Sequence, residues 1–413
     1  MSAEVSTDDN PVELRDLTEP RDGVPPVLTT ERELKRAADA LRAGTGPVAA
    51  DAERASGYRY GQHNYLVQLR REGAGTFLID PIELPDLSEI STALDGVEWV
   101  FHAASQDLIP LREQRLFPTR IFDTELAARL LGMPRVGLST VVAELLGLRL
   151  AKEHSAADWS IRPLPAEWLQ YAALDVEVLV ELRDILEQRL IDAGKLSWAT
   201  QEFTAVLGAV APEPRLDPWR RISHISELRS RRALAVAREL WLARDRNARQ
   251  RDISPGRILP DRAIIKAAQV QPRTIPALLE LREFAGKNTR QRGSLWLTAI
   301  TRALTLPENE LPTMRGPAGD GPPQPRLWKD RAPLAAARWA TVRPAVVARA
   351  EELNLPVENL LQPDIVRRLC WDDSVSADDV ADFLASRGAR PWQIEQTADT
   401  IRAALRDVVP PTT

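Results

Sequence analysis

Gly46-Pro47-Val48-Ala49-Ala50-Asp51-Ala52-Glu53 decides how the rest of the chain is read. A Gly-Pro break feeds a short run of small apolar residues, and the run delivers two carboxylates two positions apart. As a strand its side chains alternate between faces, so Asp51 and Glu53 emerge on the same side. Two carboxylates on one face of a buried strand end repel each other, and a divalent cation between them is the simplest remedy. A solvated strand end is the alternative reading of so short a motif.

The flanking sequence places this strand in a sheet. Thr29-Thr30-Glu31-Arg32-Glu33 opens a helix with a capping threonine and early acids, and Gly44 stops it. Residues 65–70 and 76–80 read as two further strands joined by the turn Glu72-Gly73-Ala74-Gly75, which makes an antiparallel meander. Beyond Pro85 the pattern becomes helix (87–94), strand (98–102), helix (106–115) and strand (120–123), with helices from Thr124 onward. Pro165 opens what reads as one long helix to about Ala193. A meander followed by alternating units predicts a mixed sheet with helices on its faces.

The remaining segments divide by composition. Residues 1–28 carry seven acids, two arginines and several prolines, and read as a disordered acidic tail before an α/β domain over 29–211. A proline-punctuated linker leads to an all-helical block over 215–305. A Pro/Gly linker over 306–328, with Gly316-Pro317-Ala318-Gly319-Asp320-Gly321-Pro322-Pro323, precedes a second helical block of similar layout over 329–409.

Composition bounds the class. The 413 residues are 44% hydrophobic and 27% charged, as in a soluble chain with real cores. A single cysteine, Cys370, excludes an internal disulfide framework and a cysteine-cluster metal site, and fits a reducing cytoplasm. The polar N-terminus is unlike a secretory signal, and no apolar run approaches the ~18 residues that span a bilayer. The net charge of −5 hides an asymmetry. Residues 215–300 hold 19 basic against 8 acidic side chains, a surplus of 11, which leaves the rest of the chain at −16. A basic block in an acidic protein points to a polyanion partner, or else to a solvated arginine-rich helical surface.

Two further stretches join Asp51 and Glu53. In Trp99-Val100-Phe101-His102-Ala103-Ala104-Ser105-Gln106-Asp107-Leu108, Asp107 follows the carboxyl end of a strand, where sites gather in α/β sheets. Its other role would be to complement a helix dipole. In Tyr171-Ala172-Ala173-Leu174-Asp175 the phenol and carboxylate share one helix face, as a surface pair would also do. His102 reads as structural, and Trp159 as packing.

Taken in order, Asp-x-Glu on a strand, His-Ala-x-x-x-Asp-Leu at a strand-to-helix junction and Tyr-x-x-x-Asp on a helix resemble the tyrosine-bearing branch of the DEDD exonucleases. Asp158-Trp159-Ser160-Ile161-Arg162-Pro163-Leu164 and Phe122-Asp123-Thr124-Glu125-Leu126 narrow the resemblance to the ribonuclease D family, over roughly residues 30–300. Pro218-Trp219-Arg220-Arg221-Ile222, Leu228-Arg229-Ser230-Arg231-Arg232 and Ser254-Pro255-Gly256-Arg257 resemble the HRDC domain that accompanies that family. The last block resembles a second HRDC-like unit.

The resemblance implies an α/β ribonuclease-H-like domain followed by one or two all-α HRDC-like domains. It implies a 3′-to-5′ exoribonuclease that uses two divalent cations, Mg2+ or Mn2+. Asp51, Glu53 and Asp175 would hold one and Asp51 with Asp107 the second, while Tyr171 would orient the attacking water. The expected partners are single-stranded RNA 3′ ends, such as those of transfer RNA precursors. DNA is the alternative substrate, because four carboxylates do not discriminate sugars without a contact to the 2′-hydroxyl. A non-catalytic RNA-binding scaffold is the alternative class, against which the intact Asp51, Glu53, Asp107, Tyr171 and Asp175 stand. For the basic block, Arg229, Arg231, Arg232, Arg244, Arg246, Arg249 and Arg251 are the candidate phosphate contacts.

Overall fold

Five strands after Gly44 and one before it build a six-stranded sheet. A computed structural model describes residues 14–150, 154, 156–211, 213, 215–316 and 321–408. In chain order the first elements are β1 (Arg15–Leu17), β2 (Val27–Leu28), α1 (Glu31–Ala43), β3 (Thr45–Arg54), β4 (Asn64–Glu72) and β5 (Gly75–Ile79). There follow α2 (Ser88–Ala93), β6 (Glu98–Phe101), α3 (Leu108–Glu113), β7 (Arg120–Asp123), α4 (Thr124–Leu130), α5 (Leu138–Leu146) and β8 (Leu148–Leu150). The sheet runs β2-β5-β4-β3-β6-β7. The central pairs β5/β4 and β4/β3 are antiparallel, and β3/β6 and β6/β7 are parallel. The meander and the mixed sheet are as the alternation predicts.

The capping box of α1 forms as its sequence dictates: the Thr30 side chain accepts from the Glu33 amide, and Glu33 reaches back to the Thr30 backbone. Leu34, Ala37, Ala38 and Leu41 then face the sheet side lined by Val67, Leu69 and Ile79. On the other side Leu66 and Leu78 pack under Ala172 and Ala173.

The helix expected over 165–193 is two: α6 (Ala166–Glu177) and α7 (Leu179–Asp192) meet at Val178. α6 packs on β3, β4 and β5, whereas α7 packs on β3, β6 and α4, so the second helix moves toward the parallel edge of the sheet. No Gly or Pro marks the change. α8 (Leu196–Leu207) closes this unit against β7.

The acidic tail is corrected in its second half. Residues 1–13 lie outside the described residues, but β1 pairs in parallel with β8 and β2 with β5. Arg21 Nε lies 3.3 Å from the buried Glu177 carboxylate, and Asp22 Oδ2 lies 2.9 Å from Arg70 Nη1. Residues 14–28 are thus a strap tied to the sheet and to α6.

The basic block folds as α9 (Arg231–Arg251), α10 (Pro255–Ile258), α11 (Asp261–Val270), α12 (Ile275–Leu279), α13 (Lys287–Arg290) and α14 (Gly293–Thr305) around its own core of Leu234, Leu240, Phe284 and Trp296. The last block is α15 (Trp328–Arg331), α16 (Pro333–Glu352), α17 (Val357–Leu360), α18 (Pro363–Trp371), α19 (Val380–Ser386) and α20 (Pro391–Arg406). Its core is continuous with that of the sheet domain. Trp392 stacks on Trp198 with ring centroids 4.8 Å apart and donates to Glu202 at 2.9 Å. Lys195 Nζ donates to Leu130 O and to Leu353 O at 2.8 and 2.7 Å. The last block is therefore a buttress on the sheet domain, packed against it through an apolar interface.

Candidate active site

Three segments converge at the carboxyl end of β3. Asp51 and Glu53 project toward α6, because they pair across the sheet with Gln68 and Leu66, and directly opposed residues share a face. α6 supplies Tyr171 and Asp175. The carboxylate oxygens of Asp51, Glu53 and Asp175 lie within 4.8 Å of one another. A cleft of about 630 Å³ is lined by these three, by Tyr171 and by Asp107. The structure thus brings all five predicted residues to one place.

Asp107 reaches the cleft through a tight turn. Ala103 takes a left-handed conformation (φ 67°), and the buried carboxylate of Asp123 fixes it by accepting from Ala103 N, Ala104 N and Glu125 N at 2.9–3.0 Å. Burial pushes Asp123 up to about 6 despite these donors. The same residue caps α4, so one carboxylate sets both the turn that presents Asp107 and the helix behind it. The ring of His102 lies 2.9 Å from Thr124 Oγ1, and burial drops its pKa to about 4, so it is neutral at pH 7. It lines the cleft but stands outside the three-carboxylate cluster.

Arg54 is the site residue that the sequence motifs miss. The pairing of β3 with β4 shifts between Glu53 and Arg54, where Tyr65 is the extra residue on β4, and Arg54 lines the same cleft. Its Nη2 is 3.4 Å from Asp107 Oδ1, and its Nη1 donates to Gln106 O at 2.6 Å. A bulge leaves no compositional mark here, so only the pairing register reveals it.

The electrostatics are those of crowded, desolvated acids. Burial pushes Asp51 up to about 6. It lifts Glu53 and Asp107 well above the usual carboxylate range, with repulsion from Asp51 adding to both. Arg54 offsets this for all three but is one positive charge among four carboxylates. An oxygen-only donor set with a surplus of negative charge fits hard divalent cations, whose binding would restore these groups to the ionised state. Tyr171 hydrogen-bonds to Asp175, and burial together with that carboxylate raises its hydroxyl far above its ordinary value. The phenol therefore stays protonated and acts as a donor. Its ring is held by His154, edge-on at 5.6 Å, and by the fully buried Trp159 at 6.4 Å.

The arginine candidates divide. Arg231 donates to Glu308 O and Leu311 O, and Arg232 to Ala303 O and Leu306 O, so both tie the expected 306–328 linker to α9 and α14. Arg244 is 5% exposed and is held by Leu259 O and Asp261. Arg249 donates to the Tyr60 hydroxyl. Arg231, Arg232 and Arg244 are corrected from phosphate contacts to structural ties: carbonyls at chain ends and helix ends take guanidinium donors that a charge count assigns to solvent. The Arg249 side chain remains 70% exposed beside its bond to Tyr60. Arg229, Arg246 and Arg251 are exposed.

Comparison with known proteins matches three segments of the chain. A family model described as 3′-5′ exonuclease matches residues 25–191, and the HRDC domain model matches 233–300. Residues 321–405, read above as a second HRDC-like unit, match a model described as the 3′ to 5′ exonuclease C-terminal domain. The chain is 31% identical to Ribonuclease D of Gluconacetobacter diazotrophicus over 367 residues, which cover 86% of this chain and 91% of the relative. Among solved structures, a protein from Bifidobacterium adolescentis superposes with a TM-score of 0.87 at 40% identity, covering 95% of this chain and all of that one. Escherichia coli RNase D, an exoribonuclease involved in structured RNA processing, superposes at 0.64 with 26% identity, covering 92% and 98%.

Proposed function

The chain belongs to the ribonuclease D family of 3′-5′ exonucleases, and on that footing we propose that it removes nucleotides from RNA 3′ ends with two divalent cations. The observation that carries this is the cluster of Asp51, Glu53 and Asp175 beside Asp107 and Tyr171 in one cleft. Asp51, Glu53 and Asp175 would hold one cation, and Asp51 with Asp107 the other. Magnesium or manganese bound there supplies an activated water and neutralises charge on the leaving 3′ oxygen.

The chain's own residues do the rest. The protonated Tyr171 hydroxyl donates its proton to Asp175, and its oxygen accepts from the attacking water and orients it. Arg54 sits where it can meet a phosphate oxygen on the Asp107 side. Asp123 holds the 103–104 turn, and thereby Asp107, in register. The biological substrate is a structured RNA precursor such as that of transfer RNA, in keeping with the RNA processing ascribed to the E. coli relative. No helix among the described residues is long and apolar enough to cross a membrane, in accord with a cytoplasmic setting.

The test is degradation of a 5′-labelled single-stranded RNA, beside the same sequence as DNA, with magnesium, manganese or chelator. A cation-dependent ladder shortening from the 3′ end, faster on RNA, is expected. Bound but intact RNA under both metals would overturn the proposal.

A further inference from the structure

The loop between β3 and β4, directly after Glu53, is bonded to the HRDC unit at four consecutive residues. Gly57 O accepts from Arg257 Nε at 2.7 Å. Tyr58 O accepts from Ser254 N at 2.8 Å, and its ring lies 3.8 Å from the Arg257 guanidinium carbon. Arg59 Nη1 is 3.9 Å from Asp252 Oδ2, and Tyr60 N donates to Asp252 Oδ1 at 3.1 Å. The Tyr60 hydroxyl donates to Asp245 at 2.9 Å and accepts from Arg249 at 3.0 Å, while its ring packs on the HRDC core.

The other side of the same loop is the active site. Ser56 and Gly57 line the cleft. Tyr58 packs into the cluster that contains Trp159 and Tyr171, and Arg59 donates to Ser160 Oγ at 2.7 Å. Fixing a loop residue costs backbone entropy. Within the sheet domain residues 57–60 have the turn bonds of Tyr58 N and Arg59 N to Ala55 O and the bond of Arg59 to Ser160. Their other bonds reach Asp245, Arg249, Asp252, Ser254 and Arg257 of the HRDC unit.

We propose that the HRDC unit splints the catalytic cleft: by gripping residues 57–60 it fixes the cleft wall beside Glu53 and the packing around Tyr171. This rests on the nuclease reading above. Tyr60 and Asp252 are positioning residues, and the unit contributes to the chemical step as well as to RNA affinity. Asp252 suits the role twice, because it accepts from Tyr60 N while itself sitting in a left-handed conformation (φ 49°) that Asp and Asn tolerate.

The test uses the full chain and separates rate from affinity. Single-turnover removal of the 3′ nucleotide is measured at saturating RNA, and the Kd for the same RNA is measured in chelator. Tyr60→Ala and Asp252→Ala are each expected to slow the saturated rate at least about tenfold, within the hundredfold that an ångström of misplacement can cost, while Kd moves less than about twofold. Asp252→Asn, which keeps the acceptor and the backbone conformation, is expected to restore most of the rate. Should Tyr60→Ala fail to fold, Tyr60→Phe removes only the hydroxyl bonds and carries the same expectation for the rate at smaller size. An unchanged saturated rate with weakened Kd would overturn the proposal and leave the HRDC unit an RNA holder alone. A wild-type chain inactive on RNA under either metal would instead sink the nuclease reading.

Discussion

Asp51 shows how a residue is bent to a task that the fold alone would not choose. It sits on a strand end among Glu53, Asp107 and Asp175, and burial raises its pKa to about 6. In the unfolded chain its pKa is near 4, so the folded state binds the proton more tightly. The stability this proton confers is full below the unfolded value and is lost as pH rises through about 6. In chelator, the melting temperature of the wild type relative to Asp51→Asn should therefore fall between pH 5 and pH 7, and Mn2+ should abolish much of that difference. A pH-independent difference in chelator would mean that burial does not hold the Asp51 carboxyl up in the folded state. The sequence announces Asp51 and Glu53 through period-two alternation. It hides Arg54, because period-two alternation from Glu53 assigns Arg54 to the opposite face, and the shift in pairing with β4 carries no glycine or proline to mark it.

At the scale of elements, α6 carries the chemistry on one turn and its anchorage on the next. Tyr171 and Asp175 face the cleft, while the carboxylate of Glu177 is fully buried, 3.4 Å from Arg70 Nη1 and 3.3 Å from Arg21 Nε. Removing one partner of a buried pair leaves a charge without compensation. Arg70→Met should therefore lower unfolding stability by about 3 kcal/mol in a denaturant titration, at the lower end for such losses because Arg21 remains. A change within about 0.5 kcal/mol, the size of an ordinary surface substitution, would show that Glu177 needs no counter-ion from β4. This anchorage was illegible in the sequence. Residues 14–28 lack periodicity because they are tied by two short strands and by side chains such as Arg21 and Asp22, not by an amphipathic face. The break at Val178 was equally silent, since α7 shifts from the β4 and β5 side of β3 to the β6 side without any residue type that stops a helix. The capping box of α1, the 72–75 turn and the strand pattern were legible, because each depends on local chemistry.

For the whole molecule, the sheet domain is held from two directions. The last helical block shares its core through Trp198 and Trp392, and the HRDC unit grips the 57–60 loop. A change of character between blocks was visible in the prolines and the charge asymmetry, but neither interface was, since interfaces are built of pairs distant in sequence such as Tyr60 with Asp245. The structure also narrows the basic surface. With Arg231, Arg232 and Arg244 engaged in structural ties and Arg249 bonded to Tyr60, Arg229, Arg246 and Arg251 are the exposed candidates with no such tie to the sheet domain among the described contacts. Replacing these three by alanine should flatten the salt dependence of RNA binding by about 0.7 in log-log slope for each phosphate no longer neutralised, with the saturated cleavage rate unchanged. An unaltered slope would assign the RNA path to another face.

The most direct measurement is calorimetric titration of Mn2+ into the wild type and Asp51→Asn, paired with RNA turnover on the same samples. Cation binding and 3′-to-5′ cleavage should disappear together in the variant, with the fold retained and its chelator stability no lower than wild type. Mn2+ binding lost while cleavage persists, or cleavage lost while binding persists unchanged, would contradict a cation-dependent site built on Asp51.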